Sequence, residues 1–146
     1  MKKFGHFHLG EYVPREVYER FGDKAERFIS PRMIYTSNQI RTYFNRPTLI
    51  NNWMFRGQLN YRGLRMLPVT HDPATGKPFA VLGEHYFGTT FDCHVVDIPA
   101  EELYNEILDN RRVFPYITRM KLYNTFVHIE TLESDVYNDF PITTFK

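Results

Sequence analysis

Apolar positions in the first third of the chain recur at three- and four-residue steps, and further on they alternate with polar ones. Val17, Tyr18, Phe21, Ala25 and Phe28 follow the helical step and Pro14 suits a first turn, so 14–28 is expected to be helical, with Gly22-Asp23 dividing it. Ser30-Pro31 reads as an N-cap followed by proline at the first helical position, which opens a helix to about Phe44. Its buried side would carry Ile34, Ile40, Tyr43 and Phe44 or close neighbours, and Asn45-Arg46-Pro47 ends it. The short polar-aromatic run 4–12 reads as an edge segment. Thr48 to Trp53 resembles a strand entering a loop, and 54–65, with two glycines and several arginines, looks irregular.

Beyond that loop the pattern changes to strands. Pro68 to Leu82 reads as a hairpin, because 72–77 supplies turn chemistry between two extended flanks. Thr89 to Ile98 is a further strand, and Pro99 opens a helix through about Asp109 with Leu103, Ile107 and Leu108 on its apolar side. Two short strands near 117–122 and 125–130 fit an antiparallel return. Helices first and strands later predict an α+β fold, a small and mostly antiparallel sheet with the N-terminal helices packed on it.

The alternation also sorts chemistry by face. Asp92, His94 and Val96 share one side of their strand, while Phe91, Cys93 and Val95 share the other. A carboxylate at such a mid-strand position needs a cation or donors to offset desolvation. His85 stands seven residues before Asp92 across Gly88, and His128 lies in Thr125-Phe126-Val127-His128-Ile129-Glu130, which alternates in the same way. Each residue alone suits an ordinary hydrogen-bonded core group. Two histidines and a carboxylate together make a suitable donor set for a catalytic metal, with a fourth position left for water.

Composition narrows the rest. The 146 residues point to one domain spanning 1–146, and roughly two-thirds of the unfolded surface of such a chain can be buried, so a core forms without staples. A net charge of +1 offers nothing to a nucleic-acid backbone, and no nucleic-acid partner is expected. Cys93 is the only cysteine, which excludes an intramolecular disulfide. The basic start Met1-Lys2-Lys3 has no apolar stretch behind it, so neither a signal peptide nor a membrane span is expected.

The segment Gly83-Glu84-His85-Tyr86-Phe87-Gly88-Thr89-Thr90-Phe91-Asp92 resembles the S-x-H-x-x-G-x-A-x-D signature of the D-Ala-D-Ala metallopeptidase family, whose wider group includes lysostaphin and the hedgehog signalling domain. Phe126 to Glu130 is similar to that family's second motif. Ile50-Asn51-Asn52-Trp53 followed by Arg62-Gly63-Leu64-Arg65 resembles the small phage-type members, as do Val13-Pro14, Phe21-Gly22 and Ile40-Arg41. The resemblance covers nearly the whole chain.

It implies the hedgehog/D-Ala-D-Ala peptidase fold and a zinc ion held by His85, Asp92 and His128. It also implies an arginine clamp for a substrate carboxylate, at Arg65 with Arg62 as substitute. The implied activity is D,D-carboxypeptidase or endopeptidase action on murein stem peptides by a phage-encoded protein. Such a protein would be cytoplasmic or virion-associated and would reach the wall through lysis or a delivery machine. The alternative is a catalytically inactive relative that binds a ligand or serves as a phage structural or host-interaction factor.

Departures from the motif bear on that choice. Gly83 replaces the serine and Thr90 the small apolar residue. The family's general base precedes the last histidine, yet no carboxylate lies between Asp109 and Glu130, and Lys121 follows Thr118-Arg119-Met120 where small members carry an acid. Glu84 is the candidate base, with Glu130 as a partner of His128 or a solvated group.

Overall fold

The computed structural model describes residues 1–66, 69–71, 73–80, 84–131 and 143–145. For 69–71, 78–80, 84, 86 and 143–145 only the backbone is described. Strands β1 (Lys3–Phe4) and β2 (Phe7–His8) form a small hairpin that leads into a helical turn at Leu9–Glu11. Helix α1 (Arg15–Phe21) gives way at Gly22 to a tighter helical stretch, Gly22–Phe28, so the expected division falls where the glycine stands. Helix α2 (Pro31–Phe44) starts as its N-cap predicts, with Ser30 Oγ accepting from the Arg32 N–H at 3.2 Å.

Strand β3 (Thr48–Leu49) follows, then β4 (Val69–His71) and β5 (Pro78–Ala80), which pair as the expected hairpin. Pro68, Asp72 and Leu82 at its margins lie outside the described residues. Strand β6 (Thr90–Val95), helix α3 (Ala100–Asp109), β7 (Arg119–Leu122), β8 (Val127–Glu130) and β9 (Thr143–Phe145) complete the order.

The fold is α+β. Its main sheet runs β3-β6-β8-β7-β9, antiparallel throughout except for the parallel pairing of β7 with β9. Period-two alternation splits it into two faces. Phe91, Cys93, Met120, Val127 and Ile129 join Leu103 and Ile107 of α3 and Met33 and Ile40 of α2 in one buried cluster. The opposite face carries polar rows set by register. Asp92 pairs with His128 and His128 with Lys121; Thr90 pairs with Glu130 and Glu130 with Arg119. Helices α2 and α3 thus lie on the apolar face and leave the other for chemistry.

Two expectations require correction. The 4–12 run is not a peripheral edge, since Phe7, Leu9 and Tyr12 are fully buried. In α2 the expected Ile40 is fully buried and Ile34 and Phe44 pack against the core, but Met33, Thr36 and Ser37 are buried as well and Tyr43 is 39% exposed. Ser37 enters the core because its hydroxyl bonds Tyr12 Oη at 2.7 Å and the Ile34 carbonyl at 2.9 Å. Among the described residues no helix is long and apolar enough to cross a membrane.

Candidate metal centre

His85, Asp92 and His128 are brought together, all buried, with one donor atom from each lying within 4.8 Å of the others. Antiparallel pairing of β6 and β8 sets Asp92 opposite His128, which accounts for two of the three. His85 comes from the helical turn Glu84–Phe87, which a glycine returns to the sheet. Gly88 has φ +65°, and a Cβ there would collide with the Phe28 carbonyl, so the turn admits no side chain at this point.

Asp92 Oδ1 stands 3.3 Å from His85 Nε2 and 2.8 Å from His128 Nδ1. The far nitrogens are also engaged. His85 Nδ1 donates to the Gly63 carbonyl at 2.9 Å, and His128 Nε2 donates to Glu130 Oε1 at 3.0 Å. With the outer nitrogens so held, both inner nitrogens face the same carboxylate oxygen, and an arriving ion would take the place of the proton they share with Asp92. That is how metal-binding histidines are oriented, and removing such an outer partner typically weakens metal affinity about 10–100-fold. The trio can therefore hold a metal ion. Comparison with protein-family models, curated proteins and solved structures gave no match. What the centre does must accordingly be read from its own geometry.

Glu130 is 3% exposed and is the group that tautomerises His128 for this role. Its other oxygen faces Arg119 Nε at 3.7 Å. Replacing it by glutamine keeps the shape but removes the charge that favours the Nε2–H form. We expect Glu130→Gln to lower metal affinity about 10–100-fold, as measured by competition with a chromogenic chelator.

Without an ion the same carboxylates hold a proton. Burial opposes the charged form of His128, but hydrogen bonds and attraction from Asp92 and Glu130 outweigh it and hold the ring up to about 9. Burial likewise opposes ionisation of Asp92, yet hydrogen bonds from both histidines keep its carboxyl below the ordinary value. Since an ion needs the His128 Nδ1 lone pair, binding at pH 7 should displace about one proton from this ring. The release should fade as pH rises through about 9. Calorimetry in buffers of different ionisation enthalpy measures it. The sign for the metal-free fold is the same: a raised pKa contributes stability in full below about 6.5, and the contribution is lost as pH climbs through about 9.

The loop before His85 supplies its support. Gly63 passes so close to Tyr12 that a Cβ would meet the Tyr12 carbonyl. The adjacent Leu64 N–H donates to that carbonyl at 2.7 Å, while the Arg65 N–H donates to the His85 carbonyl at 3.1 Å. Asn51, 1% exposed, accepts from the Arg62 N–H at 2.9 Å and donates to the Val13 carbonyl at 3.1 Å, and Trp53 Nε1 donates to the same carbonyl at 3.0 Å. The Asn-Asn-Trp run thus tethers the glycine-arginine loop to the N-terminal segment.

The arginines part company. Arg65 Nη2 lies 3.4 Å from Asp92 Oδ2, on the oxygen turned away from the histidines, and its side chain is 39% exposed. Arg62 instead donates to His94 Nδ1 at 2.7 Å and covers the Phe126 ring at 4.9 Å. Burial and the Arg62 charge hold His94 below the ordinary imidazole value, so it serves Arg62 as a neutral acceptor. Glu84 adjoins His85 in the chain, but its side chain lies outside those described. Cys93 points into the core, where burial pushes its thiol up to about 12 and away from metal chemistry. Sequence reasoning missed the Gly63 carbonyl, for which the only signal was a glycine between two arginines.

Proposed function

We propose that His85, Asp92 and His128 hold a zinc ion and that the chain is a zinc-dependent, peptidase-like protein of the D-Ala-D-Ala metallopeptidase group, acting on carboxylate-bearing peptides such as murein stem peptides. The observation that carries this reading is the paired outer hydrogen bonds, to the Gly63 carbonyl and to Glu130, which turn both histidines toward Asp92. Two nitrogens and one carboxylate oxygen with a position to spare are the donor set of hydrolytic zinc sites. When bound, zinc supplies a water of pKa about 7 and polarisation of a carbonyl.

The residues of the chain divide the remaining work. Arg65 reaches the centre and remains partly exposed, which suits a guanidinium that receives a ligand carboxylate. Asp92 offsets charge, and Glu130 and Gly63 hold the imidazoles in place. Glu84, next to His85, is the candidate to take a proton from water.

A second reading, a ligand-binding or virion-structural protein without turnover, is favoured by one observation. Both oxygens of Glu130 face cations or donors, and Lys121 occupies the row beside His128. Zinc content and amino-group release from purified peptidoglycan separate the two. About one zinc per chain with release supports the peptidase. Zinc without release at any protein concentration supports the second reading, and no zinc after loading removes the peptidase and leaves a binding or structural role as the reading. In an active protein, Arg65→Ala should raise KM about tenfold at unchanged zinc content.

A further inference from the structure

A cavity of about 540 Å³ opens beside the metal centre and shares Arg65 with it. Phe21, Phe28, Met66 and Phe87 stand around it, 38%, 37%, 47% and 57% exposed. Val17 and Leu64, both buried, form its floor. These side chains come from four separate segments: α1, the helical stretch after it, the glycine-arginine loop, and the turn that carries His85. Phe21 and Phe28 meet edge to face with centroids 5.1 Å apart, so the wall keeps its shape without a ligand. Large apolar groups left in water around a concavity are the mark of a binding cleft.

Charge says which kind of ligand. Among the described residues, Arg27 and Arg65 are the charged ones lining the cavity, and no acidic residue lines it. Arg65 also donates to the Tyr61 carbonyl at 2.6 Å, which fixes its guanidinium between the cavity and Asp92. The larger cleft, about 940 Å³, runs beside α2 past Phe4, Ile34 and Tyr35 and contains none of the metal-binding residues.

We propose that this cavity is a specificity subsite for a bulky apolar side chain, aromatic or long aliphatic, on a peptide whose carboxylate meets Arg65. The proposal rests on the peptidase-like reading only for the place of the scissile bond, and it departs from the alanine-ended stem peptide as substrate: it assigns peptides with a large apolar residue next to the carboxylate. The volume exceeds what a methyl group would fill, and an alanine ligand would leave the aromatic wall wet.

Titration calorimetry with N-acetyl-phenylalanine and N-acetyl-alanine, on the full chain with and without zinc, tests it. The phenylalanine probe is expected to bind about tenfold tighter or better, in line with burial of its ring. Phe28→Ser and Met66→Ser, at positions already partly in water, should reduce that preference below about threefold at unchanged zinc content. Arg65→Gln should weaken both probes alike. Equal binding of the two probes, binding of neither, or a preference untouched by both serine variants overturns the subsite while leaving the zinc reading in place. A full preference in protein that takes up no zinc overturns the zinc reading and leaves the subsite standing.

Discussion

Replacing His128 with alanine is expected to abolish zinc binding, end any hydrolysis, and destabilise the metal-free fold by about 3 kcal/mol. The size of the effect follows from what His128 separates. Its ring lies between Asp92, 2.8 Å from Nδ1, and Glu130, 3.0 Å from Nε2, and both carboxylates are almost wholly buried. Deleting His128 leaves one buried oxygen of each carboxylate without its nearest partner, and that costs far more than the group contributes when intact. Zinc content by atomic absorption and urea unfolding of the metal-free protein measure the two parts. His94→Ala is the control, because His94 shares the strand face of Asp92 but is committed to Arg62. Zinc retained in His128→Ala would remove this residue from the ligand set.

Lys121→Glu should raise peptide hydrolysis by about 10²-fold or more, the typical worth of a general base, unless Glu84 already supplies that base. Register is the reason. Lys121 lies directly across from His128, which lies across from Asp92, so the three occupy one row on the polar face. The lysine leans over the Tyr123 ring at 5.1 Å and is half-buried, so a shorter glutamate at this position stays within the row. Lys121→Gln serves as the neutral comparison and should show no gain. Rates on a peptidoglycan fragment, at one zinc per chain in every variant, decide the matter. If Lys121→Glu brings no gain while Glu84→Gln abolishes turnover, the base is Glu84 and the lost-acid explanation fails.

The parts of this fold that were legible in the sequence are those with local causes. Ser30-Pro31 sets the start of α2 through one cap hydrogen bond, and Pro99 sets the start of α3. Period-two alternation placed Asp92 and His128 on faces that the pairing then brought together. Burial that depends on distant partners was not legible. Ser37 stands outside the apolar stripe expected of α2, and its burial has its cause in Tyr12, twenty-five residues away, whose hydroxyl reaches it. Residues 4–12 read as an edge until the Asn51–Val13 and Leu64–Tyr12 bonds fold the loop over them. A backbone carbonyl, such as that of Gly63, leaves no signature in residue types at all.

The tether between Tyr12, Gly63 and His85 has a consequence for folding order. The groups that hold the centre sit at positions 12, 63, 85, 92, 128 and 130, so no local hairpin or helix contains a competent half of it. Loop closure over such separations is slow and is not rewarded until the last contacts form. An ion offered to the nascent chain would meet scattered, disordered ligands and find little affinity. A metal held by this centre would be captured late and would then act as a clasp on the finished topology, and its release would be an early event in unfolding.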